Sequence, residues 1–212
     1  MKQYQYILFD WDGTLVRTLD IWLESLRAAS EEHGHYFSDK DIGANFELFR
    51  QRFEAQGYSG ANTVIERASV LATRDVPRVM LYPCAREALS HLQDTGKQTA
   101  LVTTSTHEYV DPLLKRHTLN TLFDAVVCGG DTERVKPDAQ PVIEAMRSLK
   151  ADPTSTLLIG DSENDILAAR NAGIDSMLFY PESHYKFYDI KDLRSLKPTY
   201  VINNLSDILN LF

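Results

Sequence analysis

The sequence predicts an α/β protein, a doubly wound parallel sheet with a helical module inserted after its first strand. Three observations predict it. A compact apolar run, Tyr6-Ile7-Leu8-Phe9, stands near the start; a stretch without convincing strands, roughly residues 17–80, follows; and from about residue 83 helices and short apolar runs alternate. Near-continuous apolar strands alternating with helices belong to a parallel sheet covered on both faces. The first strand therefore joins five later ones, giving a core of residues 1–16 and 81–212 and a helical module of residues 17–80.

Each element has a local reason. Behind the strand at Tyr6–Phe9, the residues Trp22, Leu23, Leu26 and Ala29 share a helical face, and Gly34 is a stop. Ser38 caps a second helix through Phe46, Phe49 and Phe53 that stops near Gly57. Ser59 caps a third, with Val64, Ile65, Ala68 and Leu71 along one side. All of these apolar residues read as core packing. The alternation then begins with a helix over 85–94 that ends at Gly96, the strand 99–102, and a helix from about Tyr109 to Arg116. A strand over 124–128 precedes a helix carrying Val142, Ile143, Met146 and Leu149. The strand 156–159 leads into a helix through Ile166 and Ala169 that ends at Gly173. Runs at 176–179 and 200–202 complete the sheet.

Length and composition bound the function. The 212 residues suffice for one core domain and a modest second module. Hydrophobic residues make up 43% and charged residues 25%, a balance that buries a real core. The net charge of −8 argues against nucleic acid as a partner, because phosphate backbones demand a surplus of Lys and Arg. A small phosphorylated metabolite needs only a local positive site, usually helped by a metal. No run of about eighteen apolar residues occurs, so no membrane span is expected. The first residues lack a secretory apolar segment. Cys84 and Cys128 lie outside any metal-ligand spacing and read as small apolar residues in a reducing compartment. A cytoplasmic location is expected; oligomeric state is not legible.

Ligands of open parallel sheets bind at the carboxyl ends of the strands, so the residues following each strand carry the chemistry. The first strand is followed by Asp10-Trp11-Asp12-Gly13-Thr14-Leu15, the second by Thr103-Thr104-Ser105, and the third by Gly129-Gly130-Asp131 with Lys136-Pro137 beyond. The fourth is followed by Gly160-Asp161-Ser162-Glu163-Asn164-Asp165. Asp10 and Asp12 repel unless a cation or a shared proton accompanies them, and Mg2+ suits oxygen ligands that also face a phosphate. One of Asp161 and Ser162 reads as a helix N-cap, and Asp165, about a turn further on, can face the same cleft. Taken singly, an Asp-x-Asp-Gly turn, strand threonines such as Thr103 and Thr104, and a solvated Lys136 all have ordinary structural roles. Their convergence on one sheet edge points to chemistry.

On these residues the chain resembles the phosphatases of the haloacid dehalogenase (HAD) superfamily. The segment from Ile7 to Leu15 is similar to the first motif, Thr103 after an apolar run to the second, Lys136-Pro137 to the third, and Gly160-Asp161-x-x-x-Asp165 to the fourth. Order and spacing match over nearly the whole chain. The helical insertion resembles the cap of the phosphoglycolate phosphatase and β-phosphoglucomutase branch. Trp11 stands where Leu, Phe or Met is commoner, and Arg17-Thr18 where that branch often has Asp-Ser. Asp138-Ala139-Gln140 replaces a frequent x-Pro-Glu or x-Pro-Asp after Lys136-Pro137.

The resemblance implies a Rossmann-like core and a Mg2+-dependent phosphatase that forms an aspartyl phosphate on Asp10. The Asp10 carboxylate, the Asp12 backbone carbonyl and Asp161 would hold the metal, with Asp165 as a further or water-mediated ligand. Asp12 would serve as acid and then base. Lys136 and the Thr103 hydroxyl would bind phosphoryl oxygens, with backbone donors around Trp11, Asp12 and Thr104. The cap is expected to close over the site on hinges near 16–18 and 79–83 and to select the substrate. Other readings compete. A dehalogenase lacks the second aspartate that Asp12 supplies, and a phosphonate hydrolase needs a cap lysine, for which only Lys40 is available. A phosphomutase shares the core but demands extra cap groups. A signalling receiver domain is much shorter and carries no helical insert, and a silent binding protein on this fold would be expected to lose one of the polar groups.

Overall fold

The short apolar runs meet in one sheet. The computed structural model describes residues 2–38, 42, 49, 53–75 and 78–212. Its six strands are β1 (Tyr6–Phe9), β2 (Gln98–Thr106), β3 (Ala125–Gly129), β4 (Thr156–Gly160), β5 (Asp175–Phe179) and β6 (Tyr200–Ile202). They lie parallel in the order β3-β2-β1-β4-β5-β6. Numbered along the chain, the helices are α1 (Leu19–Glu32), α2 (Ala61–Asp75), α3 (Ala85–Asp94), α4 (His107–Arg116), α5 (Gln140–Leu149), α6 (Glu163–Asn171), α7 (Ile190–Ser195) and α8 (Ile208–Leu211). Contacts divide the chain into two units. One holds Met1–Val16, Leu81–Glu182 and Ile190–Phe212; the other holds Arg17–Met80 together with Ser183–Asp189.

In the sheet unit, β1 is central. Phe9 pairs with Leu101 of β2 on one side and Ile159 of β4 on the other. Ile7, Leu8 and Phe9 have no exposed surface, which is why this strand is apolar throughout rather than alternating. Leu8, Val102, Val127 and Leu158 share a core cluster with Val142, Ala145, Met146 and Leu149 of α5 and with Ala168 and Ala169 of α6. From β1 the chain winds outward through β2 and β3, then crosses back to β4 and winds the other way. This reversal puts a crevice at the carboxyl ends of β1 and β4. The stops expected at Gly96 and Gly173 share one hydrogen-bond pattern. The amides of Gly96 and Lys97 bond back to Gln93 and Leu92, and those of Gly173 and Ile174 to Arg170 and Ala169. That is the Schellman closure, and both glycines hold the positive φ it requires.

Strand limits differ from the sequence reading by a residue in several places, and two larger differences bear on the site. β2 does not end at Val102 but runs on to Thr106, with a register shift against β3 between those residues. Gly129 allows this, since a Cβ there would lie 2.2 Å from the Thr104 carbonyl oxygen. Thr103, Thr104 and Ser105 therefore sit on an irregular strand end rather than in a loop. The next helix, α4, starts at His107, two residues earlier than its apolar pattern suggests.

In the helical unit, α1 and α2 enclose a cluster of Leu23, Leu26, Ala29, Ile42, Phe49, Phe53, Ala61, Val64 and Ala68. Much of the helix expected from Ser38, including Phe46, lies outside the described residues, as do Lys40, Arg50 and Arg52; Ile42, Phe49 and Phe53 are described and buried. Ser183–Asp189 groups with this unit for local reasons: Phe187 packs against the cluster, Lys186 pairs with Asp20, and His184 is wholly buried. Arg67 forks onto both carboxylate oxygens of Glu32, at 2.5 and 2.9 Å. Among the described residues no helix is long and apolar enough to cross a membrane.

Candidate active site

The site begins where β1 stops. The Asp10 amide donates to the Ile159 carbonyl at 2.9 Å, so the β1–β4 ladder carries Asp10 to the sheet's edge. The chain then folds tightly about the Trp11 carbonyl, which accepts from the amides of Thr14, Leu15 and Val16. Gly13 takes φ +80° inside this turn, and a Cβ on it would fall 2.4 Å from an Asp161 carboxylate oxygen. A left-handed backbone and a carboxylate pressed onto it leave room for glycine alone. The Trp11 indole points into the core; it is fully buried, and its Nε1 has no hydrogen-bond partner among the described residues.

Three further segments reach Asp10. Lys136, in the loop after β3, donates from Nζ to Asp10 Oδ1 and to Asp165 Oδ1, both at 2.6 Å. Its loop is tied down by Asn171 of α6, whose side chain donates to the Pro137 carbonyl. Asp161 follows β4, and the Thr14 hydroxyl lies 3.1 Å from Asp10 Oδ2 and 3.2 Å from Asp161 Oδ1, bridging the two carboxylates. Ser162, not Asp161, caps α6: its amide and hydroxyl donate to Asp165 Oδ2 at 3.1 and 2.6 Å. Asp10, Asp161 and Asp165 are buried, and one carboxylate oxygen from each lies within 4.8 Å of the other two. Asp12 is turned away from this group. Its Oδ2 accepts from Ser105 at 2.6 Å and its Oδ1 faces the Tyr109 hydroxyl at 3.4 Å. Thr103 is buried, with its Oγ1 accepting from the Ser105 amide, and Thr104 is exposed.

Comparison with known proteins places this geometry. The haloacid dehalogenase-like hydrolase family matches residues 7–179, which span all four segments. The chain belongs to that family. Pyrophosphatase PpaX of Anoxybacillus flavithermus is 30% identical over 209 residues, covering 97% of this chain and 95% of the relative. A solved structure from Haemophilus somnus, described as a predicted phosphoglycolate phosphatase, superposes with a TM-score of 0.81 at 24% identity, covering 100% of this chain and 99% of the other. A haloacid dehalogenase-like protein of unknown function from Agrobacterium tumefaciens gives 0.84 at 21% identity, covering 98% and 97%. These two likenesses concern the fold.

The electrostatics of this hydrolase centre on too much buried negative charge. Burial pushes the Asp10 carboxyl up to about 7; Lys136 pulls against that, while Asp165 and Asp12 add to the rise. Burial alone would lower the Lys136 ammonium, but the Asp10 and Asp165 carboxylates outweigh it and hold it above the usual lysine range. One ammonium thus pairs with two carboxylates, and a third, Asp161, belongs to the same buried group. A divalent cation fits such a set: hard oxygen donors, buried, within coordinating reach of one another, and under-neutralised. Burial and the Asp12 charge push the Tyr109 phenol up, so it stays a hydrogen-bond donor. The sequence reading missed Thr14, Ser105 and Tyr109 as site residues. The hydroxyls of Thr14, in the segment after β1, and of Ser105, three residues on from the apolar run of β2, carried a signal that could have found them; Tyr109 carried none.

Proposed function

We propose that this hydrolase is a Mg2+-dependent phosphatase that cleaves a small phosphorylated metabolite through a phosphorylated Asp10. One observation carries the reading. The carboxylate of Asp10, at the end of the central strand, is the meeting point of Lys136, Thr14 and the other acidic groups, while Asp12 stands apart on its own partners. A nucleophile at the charge-neutralised centre and a separate acid/base beside it is what phosphoryl transfer requires.

Asp10 attacks phosphorus. Lys136 and the Thr103 hydroxyl bind phosphoryl oxygens, helped by backbone amides around Trp11, Asp12 and Thr104. Asp12 protonates the leaving oxygen, then takes a proton from the water that hydrolyses the phosphorylated aspartate. Asp10, Asp161 and the Asp12 backbone carbonyl would hold Mg2+. Asp165, both of whose oxygens are engaged by Lys136 and Ser162, suits a water-mediated place. Bound Mg2+ would offset the charge of the carboxylates and of the phosphoryl group. The helical unit is the natural source of selectivity, since its main segment leaves the chain directly after the nucleophile's loop.

The test is phosphate release from a panel with and without Mg2+. Pyrophosphate heads the panel because of the relative's name, followed by 2-phosphoglycolate, sugar phosphates and p-nitrophenyl phosphate. Turnover of at least one compound, abolished by EDTA and restored by Mg2+, is expected. Asp161→Asn should raise the Mg2+ requirement more than Asp165→Asn does. Full activity after exhaustive chelation would refute the metal.

A further inference from the structure

Asp12 has a task that needs a fixed direction. In the first half-reaction it must give a proton to the leaving oxygen as the P–O bond breaks. In the second it must take a proton from water as that water's oxygen attacks the phosphorylated Asp10, freeing the Asp10 carboxylate and inorganic phosphate. The same carboxyl group acts in both, so a rotamer that swings toward the buried acidic cluster fails in both. The backbone of its own loop closes on the Trp11 carbonyl and, through the Gly13 amide, on the Val16 carbonyl.

Two side chains from the β2–α4 junction supply the restraint. The Ser105 hydroxyl donates to Asp12 Oδ2 at 2.6 Å, and the Tyr109 hydroxyl reaches Oδ1 at 3.4 Å, the outer limit of a hydrogen bond. Each oxygen of Asp12 thus has its own donor. Ser105 is itself held, since its amide donates to Thr103 Oγ1 at 3.1 Å. Tyr109 sits in the first turn of α4 and is half-buried, which limits its rotation. We propose that Ser105 and Tyr109 are positioning residues that clamp the Asp12 carboxyl in the orientation for proton transfer, away from the Asp10–Asp161–Asp165 cluster. The inference rests on the phosphatase reading above and adds to it the residues that aim its acid/base group.

The clamp predicts a kinetic signature that a merely structural role would not produce. Proton transfer to a good leaving group is dispensable, but proton removal from water is needed for every substrate. Ser105→Ala should therefore lower kcat for a simple alkyl phosphate by about tenfold to a hundredfold, with KM within about twofold. With p-nitrophenyl phosphate the same variant should release about one p-nitrophenolate per chain in a fast burst, followed by slowed turnover, because phosphorylation of Asp10 outruns its hydrolysis. Tyr109→Phe should shift both readings the same way by a smaller factor, and Ser105→Thr, which keeps a hydroxyl, should restore most of the loss. Thermal melts confirm that each variant is folded. If Ser105→Ala and Tyr109→Phe match the wild type, or lose equally on both esters without a burst, the clamp is wrong while the phosphatase reading stands. If the wild-type chain with Mg2+ turns over neither ester nor any compound of the panel, the phosphatase reading fails and the clamp with it.

Discussion

Lys136 is a single ammonium serving two buried carboxylates, with a third close by, and that imbalance makes the acidic residues separable by mutation. Removing Lys136 leaves the carboxylates uncompensated, so Lys136→Met should cost about 3–5 kcal/mol of stability as well as activity. Asp10→Asn removes one of the buried charges while Lys136 keeps Asp165. It should therefore abolish turnover, by several orders of magnitude, without loss of thermal stability in EDTA. An Asp10→Asn chain that melts well below the wild type in EDTA, or that keeps substantial turnover, contradicts this charge balance.

Among the elements, the loop after β1 matters most because it fits two constraints into six residues. Its backbone closes on the Trp11 carbonyl, and its Gly13 makes room for Asp161. Gly13→Ala adds left-handed strain of about 1–2 kcal/mol and drives a Cβ into the Asp161 carboxylate. The expected result is a folded protein with at least a tenfold higher Mg2+ requirement, read from activity against metal concentration. Unchanged metal dependence would mean that Asp161 can yield without consequence. The irregular end of β2 has a comparable role, carrying Thr103 and Ser105 beyond regular pairing on a Gly129 that lets the strands approach.

On the scale of the molecule, the helical unit is assembled from two separate stretches, and the shorter one brings a buried titratable group. His184 is wholly enclosed, and burial lowers its imidazole from the ordinary 6.5 to about 3. Above pH 6.5 the ring is neutral whether folded or unfolded, and stability is unaffected. Below 6.5 the unfolded chain takes up a proton that the folded chain refuses, so stability falls with pH down to about 3. At about 1.4 kcal/mol per pH unit, the wild type should lose ~2 kcal/mol more than His184→Leu between pH 7 and pH 5. Urea unfolding of both proteins at the two pH values measures that difference. Equal losses would place the acid sensitivity elsewhere.

Much of this architecture is legible in the chain itself. An apolar run such as Tyr6–Phe9 must be buried on both faces, and a glycine at 96 or 173 can close a helix because it alone tolerates a left-handed turn freely. Such properties are local, and sequence determined them, as it determined that Asp10 and Asp161 directly follow strands. Partner choice is not local. Lys136 meets Asp10 across 126 positions and Ser105 meets Asp12 across 93, and no periodicity specifies which hydroxyl reaches which carboxylate. Ser183–Asp189 shows the same limit, since its placement with the helical unit rests on Phe187 finding a cluster built from residues more than a hundred positions away. Sequence set which groups are apolar, charged or able to turn. The tertiary structure decided which of them touch, because hydrogen bonds and ion pairs act over a few ångströms and only the folded chain sets those distances.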